Sequence, residues 1–179
     1  MAKIAILAGE PSGDLIASQL MSHISSKVKN IEFVGVGGPL MKKQGLRSFF
    51  DYSNLSLYGV FQVIPNIPKL IFLRYKLINY LKNEKPDIFI GVDAPDFNFY
   101  IEKKLKQSGT KTFHYVAPSV WAWRPNRVYK IKKSTDHIFS IFPHEKPFFE
   151  KDGIETTFVG HPLANTIPLQ SNMNKYRKV

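Results

Sequence analysis

Six short segments hold most of the side chains able to do chemistry, and the most pointed is DAPDFN (93–98). Asp93 follows the apolar run 87–92 (DIFIGV), which places its carboxylate at the end of a buried strand, partly out of water. Desolvation of this kind raises a carboxylate's pKa and suits it to act as a general base. The same position also serves as a structural corner, and the residues alone leave both roles open. Asp96 is expected to cap the helix that follows, and Asn98 either orients a ligand or lines that helix.

The other segments are GEPSGD (9–14), GVGGP (35–39), APSVWAWR (117–124), FPHE (142–145) and GHPLAN (160–165). GEPSGD is a glycine-bearing turn that either brings backbone N–H groups to an anion or forms a tight corner with Ser12 as helix N-cap. It matches neither G-x-G-x-x-G nor the phosphate loop with its terminal Lys and Ser or Thr. In APSVWAWRPNR, Trp121 and Trp123 alternate, and Arg124 and Arg127 have the donor geometry to hold a phosphate. A core tryptophan flanked by surface arginines is the competing reading. The five histidines (23, 114, 137, 144, 161) show no metal-binding spacing, and no G-x-S-x-G nucleophile turn is present.

Strands must bring these segments to one edge. Apolar runs at 3–8, 31–36, 87–92, 111–116, 137–142 and 156–159 read as strands, with a shorter one at 47–50. Helical periodicity covers the residues after Ser12, where Leu15, Ile16, Leu20, Met21 and Ile24 are expected to face inward, and then 40–45, 69–85, 97–107, 127–133 and 145–151. In 69–85, Leu70, Ile71, Leu73, Leu77, Ile78 and Leu81 share a face, while Arg74, Lys76 and Lys82 lie elsewhere. Strands alternating with helices predict an α/β domain, a Rossmann-like open, mostly parallel sheet with helices on both faces. In such sheets ligands bind beyond the carboxyl ends of the strands, where all six segments fall.

The 179 residues suit one domain, and the composition, 44% hydrophobic with 12 prolines and 11 glycines spread through the chain, is that of a globular protein. The absence of cysteine excludes a disulfide scaffold, a thiolate zinc site and a cysteine nucleophile. The N-terminal apolar run meets Gly9 and Glu10 too soon for a secretory signal, and no run approaches the ~20 apolar residues of a membrane span, so a cytoplasmic chain is expected. The net charge of +11 points to nucleic acid, an anionic membrane surface or a phosphorylated substrate, or to a generic lysine-rich surface. Arg124, Arg127, Lys130, Lys132 and Lys133 form the densest basic patch.

Taken in order, AGEPSGD (8–14), FVGVGGPLM (33–41), YGVFQVI (58–64), KPDIFIGVDAPDFN (85–98), HYVAPSVWAWR (114–124), FPHEKPFF (142–149) and FVGHPLAN (158–165) resemble the lipid-A-disaccharide synthases. These are inverting GT-B glycosyltransferases of Gram-negative bacteria. The resemblance runs over nearly the whole chain and implies the N-terminal, acceptor-side domain of a GT-B fold over 1–169, with 170–179 a polar basic tail. Family members carry a second α/β domain that supplies most of the donor site and has no counterpart here. The chain therefore reads as an N-terminal fragment or truncated product, inactive in isolation.

By resemblance, the reaction transfers 2,3-diacylglucosamine from its UDP derivative to 2,3-diacylglucosamine 1-phosphate (lipid X), giving a β(1→6) disaccharide 1-phosphate and UDP. Asp93 is then the candidate general base, with Glu10, Ser12, Asn98, Trp123, Arg124 and Arg127 on the substrate side. The resemblance implies no cofactor, no metal and no nucleic acid, and it leaves room for a homodimer of the full-length enzyme. Peripheral docking at the inner membrane is expected through the apolar, proline-punctuated residues Leu57, Tyr58, Val60, Phe61, Val63, Ile64, Ile67, Leu70, Ile71 and Phe72. Packing of that stretch into the core is the alternative. The rival functions are another GT-B relative such as a UDP-sugar 2-epimerase, and a non-catalytic basic domain for membrane or RNA.

Overall fold

The computed structural model describes residues 2–55, 60–120 and 127–165. Seven strands form one sheet: β1 (Ala2–Ala8), β2 (Ile31–Val36), β3 (Leu46–Ser48), β4 (Ile88–Val92), β5 (Lys111–Tyr115), β6 (His137–Ser140) and β7 (Glu155–Phe158). Every neighbouring pair is parallel, in the order β3-β2-β1-β4-β5-β6-β7. The helices are α1 (Pro11–Lys27), α2 (Pro39–Lys43), α3 (Val60–Glu84), α4 (Pro95–Lys106), α5 (Val128–Lys132) and α6 (Glu145–Glu150). The expected open parallel sheet is thus present, and the expected tail, 170–179, lies outside the described residues.

Alternation along β1 explains the two-sided core. Ile4, Ile6 and Ala8 point to one face and pack with Ala17 and Met21 of α1 and Met41 of α2. Ala5 and Leu7 point to the other and meet Leu77, Ile78 and Leu81 of α3 and Ile101 and Leu105 of α4. Burial of each Ile, Leu or Met side chain here contributes about 1.5–3 kcal/mol. A third cluster joins Ala117 and Ile138 to Val128 and Ile131 of α5 and Phe149 of α6.

Strand order reverses beside β1. The chain steps outward from β1 to β2 and β3, and α3 then carries it back to β4 on β1's other side. The carboxyl ends of β1 and β4 therefore flank the switch point, where open α/β sheets bind ligands.

Local readings are corrected in four places. The N-cap of α1 is Glu10, with Pro11 at the first helical position, so Ser12 sits inside the first turn and caps nothing. The inward stripe of α1 runs through Asp14, Ser18 and Met21, which turns Leu15 outward. Ala94, not Asp96, is the N-cap of α4. Helix α3 begins at Val60, ahead of the predicted Lys69, and runs through Pro65 and Pro68. Pro68 is exposed, so its ring is accommodated on the solvent side of the helix.

Candidate functional site

Gly9 and Glu10 leave β1, and Asp93 and Ala94 leave β4. The two turns touch: a Cβ on Gly9 would lie 3.7 Å from the Ala94 Cβ. Beside them is a cavity of about 270 Å³, with Glu10 and Asp96 at its rim and Leu55, Ile67, Leu70 and Phe97 in its walls. A polar rim over an apolar pocket suits an amphiphilic ligand.

The Asp93 turn is strained. Asp93 and Ala94 are both left-handed, with φ of 53° and 43°. Aspartate tolerates this region, but alanine has no side-chain bond to compensate. Such strain costs of order 1–3 kcal/mol per residue, persists only where the surroundings enforce it, and clusters at functional sites. The enforcing contacts are present. The Asp93 amide donates to the Tyr115 carbonyl at 2.9 Å, and the Phe97 and Asn98 amides both donate to the Ala94 carbonyl at 3.0 Å. From below, the Asn98 side-chain amide donates to the carbonyls of Asp93 at 2.7 Å and Val92 at 3.3 Å. One strand over, β-branched Val116 also has a positive φ, 74°.

Asp93 is half-buried, and among the described residues its carboxylate accepts no hydrogen bond and pairs with no cation. It is thus available to a ligand. Glu10 and Ser12 are exposed at the start of α1, across the switch point. Arg127 is tied to Asp96, which joins the start of α5 to the start of α4. Trp123 and Arg124 lie outside the described residues. Asn98 has no exposed surface, and its side-chain amide holds the Asp93 turn from beneath.

The two glycine-bearing turns explain each other. Buried Asp14 accepts from the amides of Gly38 and Met41 through Oδ1, at 2.9 and 3.0 Å, and from Leu40 through Oδ2 at 3.0 Å. It therefore satisfies the first donors of α2. A Cβ on Gly38 would lie 2.4 Å from Asp14 Oδ2, so the close approach requires glycine.

Two features escaped the sequence reading. Glu102 and His114 form a fully buried pair, Oε1 to Nδ1 at 2.7 Å, and burial raises the Glu102 pKa. Their space comes from Gly91, whose added Cβ would lie 2.4 Å from Glu102 Oε1. The available signal was spacing: Asn98, Ile101, Glu102 and Leu105 share one face of α4, and all four are buried. The second feature is Arg74, which lines the cavity wall instead of lying away from it. Ile71, placed by its spacing on one face with Leu70 and Leu77 and named in the stretch expected at the membrane, is exposed. Among the described residues no cluster of acidic or histidine side chains could hold a metal.

The fold recurs in solved structures. S. aureus MnaA with UDP matches at TM-score 0.64 and 15% identity, over 98% of this chain and 50% of that one. Acinetobacter baumannii MurG matches at TM-score 0.59 and 11% identity, over 97% and 47%. A ugt transferase from Siraitia grosvenorii with UDP matches at TM-score 0.52 and 10% identity, over 98% and 54%. These identities speak for fold alone, and with the switch-point cleft they define the class: the α/β, Rossmann-like half of a GT-B protein.

The model of the lipid-A-disaccharide synthetase family matches residues 4–179. Curated lipid-A-disaccharide synthases are 50% identical over 175 residues in Idiomarina loihiensis and 48% identical over 170 in Pseudomonas aeruginosa. The alignments cover 98% and 95% of this chain but 46% and 45% of those proteins. The chain belongs to the lipid-A-disaccharide synthase family, hexosyltransferases of lipid A biosynthesis, and spans about half the length of the curated relatives it matches. The alternative of a UDP-sugar 2-epimerase falls with that membership.

Proposed function

We propose that this chain forms the acceptor side of a transferase that moves 2,3-diacylglucosamine from its UDP derivative onto lipid X. The observation that carries the reading is the Asp93 carboxylate, unpaired among the described residues and held in a strained turn at the switch point beside an apolar cavity. Asp93 takes the proton from the acceptor 6-hydroxyl as that oxygen bonds to the donor's anomeric carbon. The bond from that carbon to the UDP oxygen breaks on the opposite side, and UDP departs with the electron pair. A single in-line displacement inverts the centre and needs one base and a positioned leaving group. Glu10, Ser12 and Arg127 lie around the same edge as substrate contacts, with Trp123 and Arg124 carried by resemblance. The donor nucleotide is held largely by the half of the relatives that this chain does not span, so the isolated chain is inactive.

The acceptor is a lipid, and the outer face of α3 supports docking at a membrane surface. Ile71, Phe72 and Tyr75 are 58%, 55% and 64% exposed on consecutive turns. No helix among the described residues is long and apolar enough to cross a membrane, so docking would be peripheral. Flotation with anionic vesicles tests this, and a folded sample that stays at the bottom of the gradient removes the membrane claim.

Transfer is tested by assaying disaccharide 1-phosphate formation with this chain alone, with a separately expressed second half, and with the same pair carrying Asp93→Ala. Activity confined to the wild-type pair supports the reading. A folded pair that forms no product overturns it.

A further inference from the structure

Between α3 and α4 runs a groove of about 540 Å³ whose charged lining is wholly cationic: Arg74, Lys82 and Lys104, with no carboxylate. The Arg74 guanidinium lies 4.9 Å from the Phe97 ring centre and 5.0 Å from that of Tyr100. Lys104 Nζ approaches the same Tyr100 ring at 5.8 Å, so two cations converge on one aromatic side chain. The rings support both charges but neutralise neither.

Arg74 is also short of acceptors. Among the described residues it forms no ion pair. Its polar contact among those residues is a long 3.4 Å bond to the Asp96 carbonyl, and its Nε is buried without an acceptor there. Burial pushes its pKa down, as expected of a cation partly removed from water. An unpaired, partly desolvated guanidinium beside two further cations is unfavourable until an anion completes it.

The groove adjoins the cavity at Glu10 and Ala94, and the two hollows share Ile71 and Arg74. Apolar Leu55, Ile67 and Leu70 line the hollow on one side of Arg74, with Glu10 and Asp96 at its rim, and Lys82 and Lys104 line the groove on the other. A ligand that satisfies both sides carries an anion close to an alkyl chain. A phosphate monoester, at roughly −1.5 to −2 near neutrality, matches this cluster better than a singly charged diester headgroup.

We propose that Arg74 is the phosphate anchor of the acceptor site. With Lys82 and Lys104 it binds the phosphate monoester of an acylated sugar, while the acyl portion occupies the adjoining cavity. The inference rests on the acceptor reading above and adds the group that recognises the acceptor's charge.

The test is equilibrium binding to this chain of a short-acyl 2,3-diacylglucosamine 1-phosphate, kept below its micelle concentration. The same sugar without phosphate, inorganic phosphate and a short-chain phosphatidylglycerol serve as comparison ligands. The expected wild-type preference for the phosphorylated sugar over its dephosphorylated form is about ten-fold or more, the strength of a charge-assisted pair. Arg74→Gln should abolish that preference and leave binding of the dephosphorylated sugar unchanged. Arg74→Lys should keep part of it, and Lys103→Gln, in a different groove, should keep all of it. Equal affinity of the two sugars for wild type, or a preference that survives Arg74→Gln in a folded variant, overturns the proposal. Phosphatidylglycerol binding as tightly as the phosphorylated sugar, with the same loss in Arg74→Gln, overturns it in favour of a membrane headgroup site. Inorganic phosphate binding as tightly as the acylated phosphate removes the acyl half of the claim. All these readouts are binding, so a failure of transfer in the complemented assay would sink the reaction without deciding the role of Arg74.

Discussion

The side-chain amide of Asn98 donates to the backbone carbonyl of Asp93 at 2.7 Å, from a position with no exposure to solvent. The bond joins the first turn of α4 to the end of β4 and spans the two left-handed residues that aim the candidate base. Asn98→Ala should therefore disturb the position of Asp93 more than the overall fold. Loss of the two hydrogen bonds should cost about 1–3 kcal/mol in urea unfolding. In the complemented transfer assay kcat should fall by up to about 100-fold with KM little changed, because misplacing a catalytic group by about 1 Å has that effect. A variant that raises KM alone would instead place Asn98 against substrate.

Asp14 and Gly38 form a second brace, between α1 and α2. Asp14→Ala would leave three amides of the α2 turn without their acceptor, at a cost of about 3 kcal/mol. Gly38→Ala would drive a methyl group against the same carboxylate and should cost about 1–3 kcal/mol. The residues are in contact, so the double variant should lose less than the sum of the singles. Strict additivity in chemical denaturation would contradict the brace.

Much of the sheet was legible because its strands are buried on both faces, so runs such as Ile88–Val92 announce themselves without tertiary information. The turn at Asp93 was legible for the same reason, since a carboxylate directly after such a run must lie at the sheet's edge. Long-range pairings were not legible. Nothing near Asp14 in sequence signals that it faces Gly38, so its part in holding the α2 turn could not be read from its neighbours. Asn98 and Glu102 lie on the inward stripe of α4, but polar residues there are ordinarily assigned to the surface. Arg74 escaped because aromatic rings from α4, a separate element, draw it inward.

At the opposite end of the sheet, Arg47 grips Glu84 through two bonds of 2.8 Å, and Lys3 reaches the same carboxylate at 2.7 Å. These bonds, those of Arg47 foremost, lower the Glu84 pKa to about 2. The folded pKa lies below the unfolded value of about 4.3. The contribution is therefore fully present above about pH 4.3 and is lost as the pH falls through about 2. Glu84→Gln should be less stable than wild type by about 1 kcal/mol at neutral pH, a modest figure because Arg47 is half-exposed. The gap should close as the pH is lowered from about 4.3 towards about 2. A gap that stays constant down to pH 2 would show that the pairing is not its source.

The buried Glu102–His114 pair should behave as one unit. Each group lies at 0% exposure, and among the described residues Glu102 Oε2 and His114 Nε2 have no hydrogen-bond partner. Removing one member strands the other in an apolar layer, with Phe99 stacked on the imidazole at 4.3 Å. His114→Phe alone should therefore cost about 3–5 kcal/mol, as should Glu102→Leu alone. Replacing both leaves no unpaired polar group, so the double variant should recover at least half of the loss of either single. The measurement is a double-mutant cycle in urea at neutral pH. A coupling energy near zero would mean that the two side chains are merely neighbours. A large one would explain why Gly91 keeps its side of the sheet clear for Glu102, directly beneath the turn that carries Asp93.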